Sequence, residues 1–327
     1  MIPQAQFLTI DKNLERIKEF IDEIIIAPKA TLRKWSSITN QTPAVKLGYI
    51  GQHLASLITG VKGTSSGARG DDLEDSSEVK SCNKIDQADK CEDCEHRVMR
   101  YEDKCPYCGS QNIKRKEDSK WLFSVRSEEE LNQYLNLDRV ILILMDYPNF
   151  DSNDFNDIRI SAFEIYPKDK RMHIFGELLT NHYYNIYLPK INDNAKTNPM
   201  NLHPFNFQFY KCNPIKTFEC IIKDVDSNPS IIINHYIEPN VERDANVKSE
   251  DMPAALLKPK EWAHLIKSIP FKIIAQHLNK PMTKNSFAKL SAKEKAKVLP
   301  CLPELLKDAI PLRPITSIRQ QKQYQRN

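Results

Sequence analysis

Glycine is scarce in this sequence, eight residues in 327, and six of the eight fall between Gly48 and Gly70. Such a concentration marks a tightly turning stretch where backbone must lie close to something else. Long apolar runs are missing as well. Nothing nears the roughly 20 continuous apolar residues of a membrane helix, so no spanning segment is expected. The opening MIPQAQFLTIDKNLERIKEF lacks the basic, apolar and small-residue succession of a secretory leader, which makes a cytoplasmic address the expectation. There is no Walker-type loop and no His-Glu-x-x-His sequence, so nucleotide hydrolysis and zinc-protease chemistry lack support. Internal repeats and long low-complexity tracts are absent.

A large excess of one charge is also missing. The net charge is only +4, which excludes a polybasic chain that coats nucleic acid by charge alone. The charge is nevertheless uneven. Residues 313–327 carry Arg313, Arg319, Lys322 and Arg326 with no acid, and 284–297 is rich in lysine. Either stretch can meet phosphates; a solvated helix face or a frayed end explains each equally well.

At this length one large domain or two ordinary ones can form. Residues 11–60 read as largely helical, because Leu14, Ile17, Phe20, Ile21 and Ile24 recur at three- and four-residue intervals. A second helix is expected over 44–58 with Leu47, Ile50, Leu54 and Leu57 inward. Two short strands joined by a tight turn are expected over 71–81. Further strands are read at 139–145, 157–166, 183–188, 205–210 and 231–236. The run VILILM is continuously apolar, as a strand buried on both faces should be. Beyond about residue 250 the pattern is helical again, in three short candidates separated by Pro270 and Pro281. Such compact helical units often carry DNA-reading helices, although a plain packing subdomain fits as well. The fold class is therefore α/β or α+β: a mixed central sheet flanked by helices.

Chemistry concentrates in 66–110. Glu78 and Lys80 are two residues apart on an expected strand, so they share a face. A chain reversal near 74–77 brings an aspartate, Asp71 or Asp72, across from them. Two carboxylates offer hard oxygen ligands to Mg²⁺, and the lysine can position an attacking water. On spacing alone an exposed strand with a salt bridge is the plainer reading; the glycine-rich lead, the Asp71-Asp72 pair and the turn shift the balance.

With that context the segment resembles the PD-(D/E)xK nucleases. Ser66 to Leu73 (SGARGDDL), Ser77 to Cys82 (SEVKSC) and Asp86 to Cys94 (DQADKCEDC) further resemble the MamI family of type II restriction endonucleases. The likeness is dense over 66–110 and looser elsewhere, where the IYPKD and NHYYNIYLPK stretches fit it. Gly70 stands where the superfamily has a proline before its first acid. The resemblance implies a Mg²⁺-dependent cutter of double-stranded DNA, acting as a homodimer on a palindrome and paired with a cognate DNA methyltransferase. It makes Glu78 a metal ligand and Lys80 the partner of the water; Asp72, which can share a sheet face with them across the turn, is the first acid and metal ligand, and a bulge would put Asp71 in its place. Gln52 falls where many such nucleases carry an accessory glutamate; an ordinary polar helix position is the simpler reading.

Cys91-x2-Cys94 and Cys105-x2-Cys108 are separated by ten residues. Each x2 knuckle lets two sulfurs converge on one ion, so four thiolates can close tetrahedrally around Zn²⁺. Four thiolates leave no open position, which makes this zinc structural. The other four cysteines, Cys82, Cys212, Cys220 and Cys301, show no disulfide-framework spacing. The ribbon would hold the basic run Lys114, Arg115 and Lys116 near DNA. Asp86, Asp89, Asp146 and His182 read as a solvated acid, a solvated acid, a strand-ending turn and a packing residue.

The expected organisation is a helical part over 1–62, a catalytic hairpin over 63–90 and a zinc ribbon over 91–116. The rest of the sheet core follows over 117–250, then a helical, DNA-contacting subdomain over 251–327. The expected activity is sequence-specific phosphodiester hydrolysis in double-stranded DNA. The competing reading is a non-catalytic zinc-ribbon DNA-binding or regulatory protein. A third keeps the chemistry but acts on branched or RNA-containing structures.

Overall fold

Arg139–Asp146 is buried along its whole length and forms an inner strand of a five-stranded sheet. The structure is a computed structural model that describes residues 4–39, 47–65, 71–83, 89–98, 102, 104–114, 119–149 and 156–313. Those residues divide between two units. The first takes in 1–122, 137–166 and 216–244, and the second 123–136, 167–215 and 245–327.

The sheet belongs to the first unit. In chain order its strands are β1 (Ser77–Asn83), β2 (Arg139–Asp146), β3 (Ile158–Ile165), β4 (Ile215–Lys223) and β5 (Ser230–Tyr236), and they lie side by side in that same order. β1 runs parallel to β2, with Glu78 beside Val140 and Lys80 beside Leu142. β2 and β3 are antiparallel, as are β4 and β5. The sheet is thus mixed, and β1 is an edge strand.

One face of the sheet is covered by α1 (Asn13–Ile21) and α3 (Gly48–Thr59), between which α2 (Ala27–Thr39) lies in the chain. Ile17, Ile21, Leu54, Ala55 and Ile58 pack with Val79, Ile141, Ile143, Phe218 and Ile222 in one core. Each such fully buried aliphatic side chain contributes about 1.5–3 kcal/mol. The inward face of the first helix differs from expectation. A π-turn over Asp22–Ile26 carries Ile25 and Ile26 inside and leaves Ile24 37% exposed. α3 is rotated too, burying Gly51, Leu54, Ala55 and Ile58 more deeply than Ile50 or Leu57. The cause is Gly51: a Cβ there would stand 2.0 Å from the Ser81 Oγ of β1, so only glycine lets the helix settle on the edge strand. α3 stops at Gly60, whose φ of 72° no other residue adopts cheaply.

The second unit corrects two strands. Residues 183–188 are helical, continuing α4 (His173–His182) through a π-turn at Tyr183–Tyr187 into Leu188–Asn192. Apolar residues at Ile174, Phe175, Leu178, Leu179, Tyr183 and Ile186 supply the helical period, and Tyr183 stacks on Tyr187 with ring centroids 5.9 Å apart. β-prone tyrosines yielded to that packing. The FNFQFY stretch is a short helix, Phe207–Lys211, because Phe205 has φ 57° and Asn206 begins a turn. The strand β4 and a helix at Glu128–Asn136 were not anticipated. Helices were anticipated at the C-terminal end, where α5 (Pro259–Ser268), α6 (Phe271–Ala275), α7 (Lys284–Lys289) and α8 (Ala292–Val298) follow one another. No helix among the described residues is long and apolar enough to cross a membrane.

Candidate active site and metal centre

The acidic segment is a knotted turn rather than the first arm of a hairpin. Two consecutive N–H groups, of Asp72 and Leu73, donate to the Ser77 carbonyl at 3.0 and 3.1 Å, and Ser76 turns the chain with φ 58°. On its other side the turn is tied to the incoming chain. Thr64 N–H reaches the Asp72 carbonyl at 3.2 Å, and Glu74 N–H reaches that of Lys62 at 3.0 Å. Leu73 is buried and pins the turn to the core. Expectation gave two strands over 71–81; among the described residues there, an isolated bridge from Leu73 to Gly63 stands in place of the first. The bridge suffices to set Asp72 beside the start of the strand.

Asp72 is held at both oxygens. Gln52 Nε2, from α3, donates to Oδ1 at 2.6 Å, and the Val79 N–H of β1 donates to Oδ2 at 2.8 Å. Glu78 and Lys80, side by side on the partly exposed face of β1, form an ion pair. Burial raises the pKa of Asp72 above the ordinary carboxylate range, opposed by the Val79 hydrogen bond and by Lys80. Burial likewise raises Glu78, with Lys80 opposing and the charges of Asp72 and Asp71 adding to the rise. Two half-buried acids that disfavour ionisation side by side gain from a hard divalent cation, which compensates their charge. Asp72 and Glu78 could each offer carboxylate oxygen to such a cation. Asp71 sits one residue outside this grip, its carbonyl accepting from the Thr64 hydroxyl at 2.8 Å.

Beneath the turn lies a buried ionic network. The Arg139 guanidinium donates through Nε to Ser77 Oγ at 3.0 Å, pairs with Asp75, and reaches Glu164 Oε1 at 3.1 Å. Glu164 also accepts from Arg243 Nε at 3.1 Å and from the Tyr166 hydroxyl at 2.6 Å. Burial alone would raise Glu164, but Arg139 and Arg243 outweigh it and hold the carboxyl below its ordinary range. Arg139 thus clamps two residues, Asp75 and Ser77, that lie between the candidate ligands in sequence.

The four expected zinc cysteines come together. One ligand atom from each of Cys91, Cys94, Cys105 and Cys108 lies within 4.8 Å of the others. The two knuckles are built alike. In each, the first cysteine accepts a hydrogen bond four residues on, from Glu95 N–H at 3.0 Å or Gly109 N–H at 2.8 Å. In each, its own N–H donates five residues on, to the carbonyl of His96 at 2.9 Å or of Ser110 at 2.8 Å. Glu95 and Gly109 both take left-handed backbone, φ 63° and 71°. His96 and Tyr107, one from each knuckle, stack with centroids 3.9 Å apart. Asp89–Cys91, Arg97–Val98 and Ile113–Lys114 form the small sheet that carries the knuckles. Four soft thiolates are a donor set that could hold Zn²⁺.

The structure therefore brings Asp72, Glu78, Lys80 and Gln52 to one place and the four cysteines to another. Gln52 is more than the polar surface residue the simpler sequence reading made it, since its amide grips the first acid. Asp89 is buried, not solvated, and Asp146 makes a two-point ion pair with Arg159 at 2.8 and 2.6 Å. His182 is buried on a helix. Asp86, Arg115, Lys116, Arg319, Lys322 and Arg326 lie outside the described residues.

The same unit thus carries two acids and a lysine at the start of β1 and a four-cysteine cluster that could hold a metal ion. The chain belongs to the MamI restriction endonuclease family, whose profile matches residues 34–255 and so takes in both centres. The Type II restriction enzyme MamI of Microbacterium ammoniaphilum is 31% identical over 102 residues, 28% of this chain and 33% of that protein. The likeness to that relative thus spans about a third of its length. No solved structure matches the chain.

Proposed function

We propose that the protein is a type II restriction endonuclease that hydrolyses phosphodiester bonds of double-stranded DNA with Mg²⁺, on a PD-(D/E)xK-type core. The observation that carries this reading is the convergence of Asp72, Glu78 and Lys80 in a chain of a restriction endonuclease family. Mg²⁺, when bound, neutralises charge on the scissile phosphate and makes a bound water more acidic. Asp72 and Glu78 supply its oxygen ligands. Gln52 and the Val79 N–H fix Asp72 in place, so the ligand needs little reorganisation. Lys80 Nζ, steered by Glu78, orients the attacking water and favours its deprotonated form.

On this reading 63–90 is the catalytic segment, 91–116 a structural zinc ribbon and 251–327 a DNA-contacting helical subdomain. One site cuts one strand, so a homodimer matching the two-fold symmetry of a palindrome is the simplest way to cut both. A cognate methyltransferase protects the host's own sites. The deciding experiment incubates the protein with plasmid and Mg²⁺, maps the ends by sequencing, and repeats this with Glu78→Ala and Lys80→Ala. Both variants should bind duplex and leave it uncut. Cutting at the wild-type rate in either would remove the assignment.

A further inference from the structure

Residues 258–300 hold ten lysines and two glutamates, an excess of eight positive charges in a chain whose total is +4. The remainder of the chain is therefore net acidic, and the segment lies outside residues 34–255 that match the family. A solvated helical surface normally alternates signs, with acids at helical spacing from the lysines. Here both acids have other work. The Glu261 carboxylate is gripped at two points by Arg313, at 2.6 and 2.8 Å, and also accepts from the Lys258 N–H at 2.7 Å. Glu294 Oε2 is turned back onto Ser291, accepting from its N–H at 2.8 Å and its hydroxyl at 2.7 Å.

The lysines are left facing water. Lys260, Lys267, Lys284, Lys289, Lys293 and Lys297 are all exposed and make no ion pair among the described residues. Their arrangement is ordered by the core beneath them. In α5, Trp262 and Leu265 are buried, and Trp262 packs edge-on against Phe287 of α7 with centroids 5.9 Å apart. Lys260, His264 and Lys267 then fall at i, i+4 and i+7, one stripe on the opposite side. In α8, Val298 is buried while Lys293 and Lys297 form an exposed i, i+4 pair. Like charges at that spacing weaken a helix, a cost that an anionic partner offsets. The other lysine of α8, Lys295, is turned inward to donate to the carbonyls of Ala288 and Leu290, so it fastens α8 to α7.

From these observations we infer that α5 to α8 form a phosphate-binding surface for duplex DNA, with Lys260, Lys267, Lys293 and Lys297 as its contacts. The inference rests on the nuclease reading for the identity of its polyanion and gives the chain a DNA-holding surface made of residues other than its cutting site. It holds the backbone without reading bases, because an ammonium on a flexible stem meets phosphate as a point charge.

The test measures binding of the full chain to a short labelled duplex, without divalent cation added, over a series of salt concentrations. Wild type is compared with the combined Lys260→Gln, Lys267→Gln, Lys293→Gln and Lys297→Gln variant. The slope of log affinity against log salt should fall by about 0.9 for each lysine that meets a phosphate. The corresponding Lys→Arg variant should keep the wild-type slope, and an unchanged melting temperature in both confirms that the fold is intact. An unchanged slope in the Gln variant overturns the surface, as does wild-type binding to polyglutamate as tight as to duplex. Plasmid cleavage by the same preparations separates the two readings. A slope that falls in the Gln variant, together with a wild type that never cuts plasmid, keeps the surface and removes the nuclease. Cutting with an unchanged slope keeps the nuclease and removes the surface.

Discussion

Gln52 Nε2 lies 2.6 Å from Asp72 Oδ1, joining the helix that covers the sheet to the turn that carries the first candidate ligand. The bond orients a carboxylate whose second oxygen is already fixed by backbone. Gln52→Ala should therefore slow single-turnover cleavage by about tenfold, the loss of one hydrogen bond to a charged group. Gln52→Glu should recover rate at low Mg²⁺, since it adds an oxygen ligand. An unaltered rate and Mg²⁺ dependence in both variants would leave Gln52 without a part in the site.

Burial lifts the pKa of both Asp72 and Glu78, which sets the sign of two pH effects. Cleavage should decline as pH falls through these raised values, giving an acid limb above the ordinary carboxylate range near about 4. More Mg²⁺ should push the limb lower, because metal and protons compete for the same oxygens. Without divalent cation the stability effect runs the other way. A group with a raised folded pKa favours the folded state at low pH, and that contribution is lost as pH rises through the folded value. Melting temperatures of the wild type should accordingly fall across that window more steeply than those of Glu78→Gln.

Arg139 is 2% exposed and compensates two buried carboxylates, Asp75 and Glu164. Arg139→Met should lower the unfolding free energy by about 3–5 kcal/mol, because it leaves buried charge unpaired. Denaturant titration measures this. A change within error of zero would mean that water or Arg243 takes over the compensation.

Gly51→Ala places a methyl 2.0 Å from Ser81 Oγ and 2.7 Å from its Cβ. The overpacking should cost about 1–3 kcal/mol, and adding Ser81→Gly should return most of it. A double variant no more stable than the single one would show that the strain lies elsewhere along α3.

Purified protein should contain one zinc per chain, and Cys91→Ser should contain none. Because binding energy of such a site is folding energy, protease sensitivity in 89–114 should rise with the loss of metal. Intact reduced thiols with no zinc in the wild type would refute the centre.

Legibility in the sequence followed the range of the forces involved. The zinc cysteines were readable because a knuckle is local: the x2 spacing alone brings each pair of sulfurs together. Glu78 and Lys80 were readable for the same reason, as strand geometry puts them on one face. The buried strands β2 and β3, and the partly exposed β5, showed in their apolar runs. Asp72 was preferred to Asp71 on sheet-face geometry alone, while the bonds from Gln52 and Val79 that hold it could not be read from the sequence. Gln52 was singled out by the resemblance, where many such nucleases carry an accessory glutamate, but its bond to Asp72 was not legible, since the fit of Gly51 over Ser81 leaves no periodic trace. The tyrosine-rich 183–188 failed for the opposite reason: strong local β preference hid a helical spacing of buried neighbours.

β1 lies at the margin of the sheet, and this position bears on what the chain can carry. Among the described residues no strand pairs with β1 on its outer side, so an insertion beyond it can be large without breaking a ladder. The ribbon that follows is closed upon itself: Lys90 and Lys114 are register partners, which brings its entry and exit within one strand spacing. It is a cassette hung on a peg. Its excision and replacement by a short hairpin should spare the sheet, and an unrelated small module could be fitted at the same two points.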